Sequence, residues 1–138
     1  THIRQRYKNR DGIVTEKTYD SSKCLYDMMS MLLRARSFRA EDFRVGEKFQ
    51  LPMADGHKVE DVTLIYRGRE NFQMKSNGTN YRCLVFSFVE YPDGEEKEII
   101  RFYISDDMNH IPVRLDMYLR FGVAKAYLTN TKGLRHQK

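Results

Sequence analysis

Residues 113–120 alternate strictly. Val113, Leu115, Met117 and Leu119 are apolar, and Arg114, Asp116, Tyr118 and Arg120 fall between them. A period of two predicts a strand with one dry and one wet face. Val62, Leu64 and Tyr66 alternate in the same way with Thr63, Ile65 and Arg67. Gly68 interrupts that run and predicts a bulge or bend. Turn residues separate the runs: Val45-Gly46, "ADGH" at 54–57, Asn77-Gly78 and "PDGEE" at 92–96. Asp-Gly and Asn-Gly are strong hairpin signals because both turn residues can adopt positive φ. "HIRQRY", "NRDG" and "IVTEKTY" predict an N-terminal hairpin.

A single stretch carries a helical period. In "DSSKCLYDMMSMLLRARSF", Leu25, Met28, Met29, Leu32 and Leu33 recur at helical spacing, with Asp20, Ser21 and Ser22 as candidate N-caps. Arg34 and Arg36 follow, where cations complement the helix dipole. The order predicted is two strands, one helix, then seven strands joined by tight turns. That order implies a mainly β, α+β fold: a twisted antiparallel meander sheet or incomplete barrel with one helix packed on its concave face. A chain of 138 residues without internal repeats or a linker reads as one domain, residues 1–138.

Composition narrows the function classes. The chain holds 24 basic and 19 acidic residues, and the charges interleave. Without a recognised nucleic-acid motif, the mild excess gives no expectation of nucleic-acid binding. The longest apolar run lies near "CLVFSFV", well short of the ~20 residues of a transmembrane helix. No signal peptide is visible, but the chain opens on "THIRQRY" and reads as a mature or trimmed product. Cys24 and Cys83 could pair in an oxidising compartment or stay buried thiols in a reducing one. A bond would close a loop of roughly 60 residues and stabilise by ~4 kcal/mol in the chain-entropy model.

The densest polar cluster is "SDDMNH", between "IIRFYI" and "IPVRLDMYL". Ser105, Asp106, Asp107 and Asn109 are residue types that bond their own backbone and favour turns. A calcium loop would continue its oxygen ligands over about twelve residues and close on Glu, whereas here they stop at Asn109. A zinc site needs three or four converging ligands, and the four histidines lack metal spacing. Adjacent carboxylates tend to point apart, which argues against a cooperating acid/base pair. No nucleophile elbow, P-loop or dinucleotide-binding glycine pattern is present. The expectation is therefore a structural turn, with no metal, no cofactor and no catalytic residue. Methionine adapts to irregular partners, so the Met-rich helix could line a ligand surface as well as a core.

Residues 103–134, "YISDDMNHIPVRLDMYLRFGVAKAYLTNTKGL", also carry a resemblance. Ser105, Asp106, Asp107, Ile111, Pro112, Val113, Arg114, Gly122, Lys125, Ala126, Leu128 and Thr129 resemble the C-terminal pattern of the bacterial domain-of-unknown-function family 3108. "YDMMSMLLRAR" is similar to the family's Asp-led helix, and "RCLVF" at 82–86 to its Cys-containing strand. The ordered matches span about residues 19–134. Family members usually carry a longer β-rich stretch before the helix, so the chain reads as a C-terminal portion that lacks upstream strands. His110 stands where the family more usually has Arg.

The resemblance implies an exported protein of the bacterial periplasm or cell envelope, with no established activity. An oxidising periplasm would permit the Cys24–Cys83 bond. The first function reading is a non-catalytic module binding a lipid or other apolar ligand. The candidate groove then lies between Met28, Met29 and Leu32 of the helix and Leu84, Phe86 and Phe88 of the sheet. The alternative is a protein-interaction or scaffold domain that uses an open sheet edge or an exposed apolar patch. A metal-dependent hydrolase is a distant third.

Overall fold

A computed structural model describes residues 2–22, 24–55 and 58–136. Its elements run β1 (His2–Lys8), β2 (Val14–Asp20), α1 (Met28–Ala35), a 3-10 turn (Ala40–Asp42), β3 (Lys48–Asp55), β4 (Lys58–Gln73), β5 (Asn80–Glu90), β6 (Lys97–Ser105), β7 (Pro112–Leu119) and β8 (Gly122–Tyr127). β1 and β2 form a separate two-stranded hairpin. The other six strands make one antiparallel meander in chain order, β3 to β8. The sheet stays open, with β3 and β8 at its two edges. The predicted mainly β architecture with one helix is the one observed.

The turns behave as their residues demand. Gly46, Gly78 and Gly94 all take positive φ in the predicted turns, a region that costs a side chain strain. The expected turn at 54–57 falls partly on Gly56 and His57, outside the described residues. Gly68 marks the predicted bulge: the β4–β5 register slips between Tyr66 and Gly68. The strand count is corrected at this point. The chain does not break after Glu70; it continues through the bulge as one 16-residue strand, so six strands rather than seven follow the helix. A bulge bends a strand without ending its pairing.

The helix begins later than Asp20, Ser21 or Ser22. Its N-cap is Asp27, whose side chain accepts from the Ser30 N–H at 2.7 Å while the Ser30 hydroxyl accepts from the Asp27 N–H at 2.9 Å. These reciprocal bonds form a capping box. Its buried face is also not the predicted one. Met31 and Ala35, one turn apart, are buried against the sheet, whereas Met29 and Leu33 are 66% and 60% exposed.

The helix side of the sheet carries the main core. Val62, Leu64 and Tyr66 of β4, Leu84, Phe86 and Phe88 of β5, and Ile100, Phe102 and Ile104 of β6 all face Met31, Ala35 and Ala40. Phe86 is central, with Phe38, Tyr66 and Phe102 rings at 5.9, 5.3 and 5.4 Å. Burial of each such ring stabilises by about 2–3 kcal/mol.

The opposite face is not the wet face that alternation predicts. Met74, Cys83, Val85, Tyr103 and Val113 form a second cluster there. Val113 belongs to it because a bulge opposite Tyr103 and Ile104 turns it away from the Leu115–Met117 side. Asp116 is buried on this face and takes both nitrogens of Arg114 at 2.8 and 2.7 Å. Ser87 is fully buried, accepting from Arg67 at 3.1 Å and donating to Glu98. Polar positions can therefore lie buried where each finds a partner.

Of the two states left open for the cysteines, the structure has the unbonded one: Cys24 is an exposed free thiol and Cys83 a buried one. Cys83 points to the face away from the helix, and Cys24 precedes the segment where Tyr26 bridges Met53 on the edge strand β3. Burial pushes the Cys83 thiol up to about 11, assisted by the Asp106 carboxylate.

Candidate functional site

The β6–β7 connection, Ser105–Ile111, is built by its own side chains. The Asp107 carboxylate accepts from the Ser105 hydroxyl at 2.8 Å, the Asn109 N–H at 2.9 Å and the His110 N–H at 3.1 Å. Ser105 Oγ in turn accepts from the Ile111 N–H at 2.9 Å. Asp106 points the other way, accepting from Arg69 at 2.8 Å and lying 3.2 Å from Arg82. The two carboxylates thus diverge. The hydrogen bond to Asp106, together with its charge, holds the Arg69 guanidinium above its ordinary value. Among the described residues no three His, Cys, Asp or Glu side chains converge as a metal site.

His110 closes the turn at φ 46°, a left-handed conformation that is strained for a side-chain-bearing residue. That conformation aims carbonyls at the helix. Arg36, just past the end of α1, donates to the His110 carbonyl at 2.6 Å and the Asn109 carbonyl at 3.3 Å. One guanidinium therefore ties the helix C-terminus to the turn.

Between these two anchored elements lies an apolar cleft of about 150 Å³. Met29, Leu32 and Leu33 form its helix wall, and Phe102, Ile104 and Leu115 its sheet wall. Pro112 and Arg36 close the turn end, and Arg114 also borders the cleft. The predicted groove residues divide. Met29 and Leu32 line this cleft. Leu84, Phe86 and Phe88 do not: they are sealed in the core beneath Met31, Ala35 and Phe38. The Met28 side chain is outside what the structure describes. The cleft residues that sequence reasoning missed are Leu33, Phe102, Ile104, Pro112 and Leu115. Their signal was present in the β6–β7 hairpin, since a turn at 105–111 places Ile104 beside Pro112 and Phe102 beside Leu115.

Fold and cleft together define an open six-stranded β-meander domain with a helix-covered core and an apolar cleft at the helix edge. The chain belongs to the family described as protein of unknown function (DUF3108), which it matches over residues 2–129. The match takes in the β1–β2 hairpin as well as the sheet. No curated protein and no solved structure matches the chain.

Proposed function

We propose that the domain is a non-catalytic binding module of the bacterial cell envelope whose helix-edge cleft takes an acyl chain or similar linear apolar group. One observation carries the reading. The cleft walls are apolar on both sides, and Met29 and Leu33 extend them to solvent at 66% and 60% exposure. Size sets the mode of binding. Pockets that enclose drug-sized ligands run to about 300–1,000 Å³, so this cleft grips a segment of chain and leaves the rest of the ligand outside. The carboxylates of the turn support a non-catalytic role, since Asp107 holds the loop and Asp106 pairs with arginines. The envelope placement rests on the family resemblance. No helix among the described residues is long and apolar enough to cross a membrane.

A second reading, a protein-interaction domain, is favoured by the β8 edge. Among the described residues that strand has no neighbour beyond it, and Val123 and Tyr127 stand exposed along it, with Phe121 exposed just before its start. An unpaired edge with apolar side chains is a template for strand addition. Native mass spectrometry of the gently purified full chain separates the two. An added small-molecule mass that is lost on denaturation, and is absent from Leu33→Asp, supports the cleft. A defined complex with another polypeptide, indifferent to Leu33→Asp, moves the function to the β8 edge. Bare protein throughout would sink the ligand reading.

A further inference from the structure

The face opposite the helix carries a second cleft, of about 390 Å³, between the β4–β5 turn and the β7–β8 ladder. Its walls are built around Arg114. The guanidinium carbon lies 5.2 Å from the Phe72 ring, 4.9 Å from Tyr103 and 5.8 Å from Tyr127. Phe72 and Tyr127 stack on each other at 6.0 Å and 14°. Cation–π contact of this kind fixes rings in place, so the aromatic wall is formed before any ligand arrives. Met74 and Leu128 add apolar lining.

The charges of this cleft are all of one sign. Lys75, Arg114 and Lys125 line it, and no carboxylate does. Arg114 is already charge-paired, since its Nε and Nη2 donate to the two oxygens of Asp116. Lys125 stands opposite Asp116 in the ladder, yet neither Lys125 nor Lys75 has an ion-pair partner among the described residues. An aromatic wall lined by two lysines that make no ion pair among the described residues matches a ligand with an apolar body and an anionic head.

We infer that this cleft is a binding site for a small anionic amphiphile, an aryl or acyl group bearing one carboxylate, sulfonate or phosphate. The apolar body lies along Phe72 and Tyr127, and the head group sits between Lys75 and Lys125. Arg114 is a positioning residue that holds the rings and does not take the head. The site opens on the other face of the sheet from the helix-edge cleft, and the two share only Arg114 among their lining residues.

The test uses the full chain with anilinonaphthalenesulfonate and its uncharged counterpart phenylnaphthylamine, followed by fluorescence titration. The sulfonate is expected to bind with a micromolar dissociation constant, and about tenfold more weakly to Lys75→Gln/Lys125→Gln. Its affinity should fall as salt rises. Both lysines are exposed, so the double variant folds as the parent does. Leu33→Asp, on the other face, should leave the titration unchanged. Equal affinity for the uncharged probe, indifference to the lysine changes, absence of binding, or loss of binding in Leu33→Asp would each overturn the assignment. The last of these would at the same time support the helix-edge cleft.

Discussion

Asp106 and Asp107 are adjacent, identical in chemistry, and expected to differ sharply when removed. Asp107→Ala deletes the acceptor for three donors, two of them backbone N–H groups of the turn. A net hydrogen bond contributes about 0.5–1.5 kcal/mol. Asp107 is half-buried, so water replaces part of what is lost, and a destabilisation of about 2–3 kcal/mol is expected. Asp106→Ala removes ion pairs with Arg69 and Arg82, whose side chains are 39% and 65% exposed. Such pairs contribute less than about 1 kcal/mol. Asp107→Asn keeps the oxygen and loses only its charge, so it should fall between the two. Urea unfolding followed by far-ultraviolet circular dichroism measures all three. With a slope of about 1–3 kcal/mol per molar urea, the midpoint should drop by roughly 1–2 M for Asp107→Ala and by under about 0.5 M for Asp106→Ala. Equal effects of the two alanine variants, or Asp107→Asn as damaging as Asp107→Ala, would refute the view that Asp107 is the turn's internal acceptor.

Three further expectations test the fold around the site. Met31→Ala should cost about 2–5 kcal/mol as a buried truncation, while Met29→Ala, at 66% exposure, should stay within about 0.5 kcal/mol; thermal melts compare them. Under native conditions one thiol, that of Cys24, should react with Ellman's reagent, and both should react after unfolding. Because the folded Cys83 thiol is pushed up to about 11, its contribution to stability is full below the ordinary thiol value, about 8.5, and is lost as pH rises towards 11. Asp27→Ala should cost about 1 kcal/mol at neutral pH. Bonds from Ser30 hold the Asp27 carboxyl below its ordinary range, so that contribution is present above about pH 4 and fades as pH falls through the folded value. The difference between parent and variant should therefore shrink in acid.

Much of the sheet is legible because its punctuation is steric. Gly46, Gly78 and Gly94 sit where positive φ is required, and such demands are local. The helix is harder. "MMSMLL" is apolar on nearly every side, so periodicity cannot say which stripe meets the sheet. In a helix of eight residues the start decides the stripe, and the start is set by Asp27 with Ser30, an Asp-x-x-Ser pair outweighed in the sequence by the richer Asp20-Ser21-Ser22. The second core was invisible for a different reason. Alternation assigns Arg114, Asp116 and Ser87 to solvent, yet each is satisfied by a partner that lets it be covered. The helix-edge cleft combines residues some 70 positions apart, a juxtaposition no local pattern contains. Only its β6–β7 half follows from hairpin register.

The hairpin at 105–114 is the wall common to both clefts. On the helix side, Ile104 and Pro112 line the apolar cleft, and the turn's carbonyls hold Arg36 at its end. On the far side, Arg114 props the aromatic wall. The bulge at Val113 makes this double use possible. A regular strand would send residues 113 and 114 to opposite faces, whereas the extra residue lets Val113 seal the second cluster on the same side as Arg114. Asp107 then acts on both sites at once. It fixes the turn that sets the register of β7, and with it the placement of Pro112 and of Arg114. A loosened turn would blur the apolar cleft and the aromatic wall together, without either losing a residue that touches ligand.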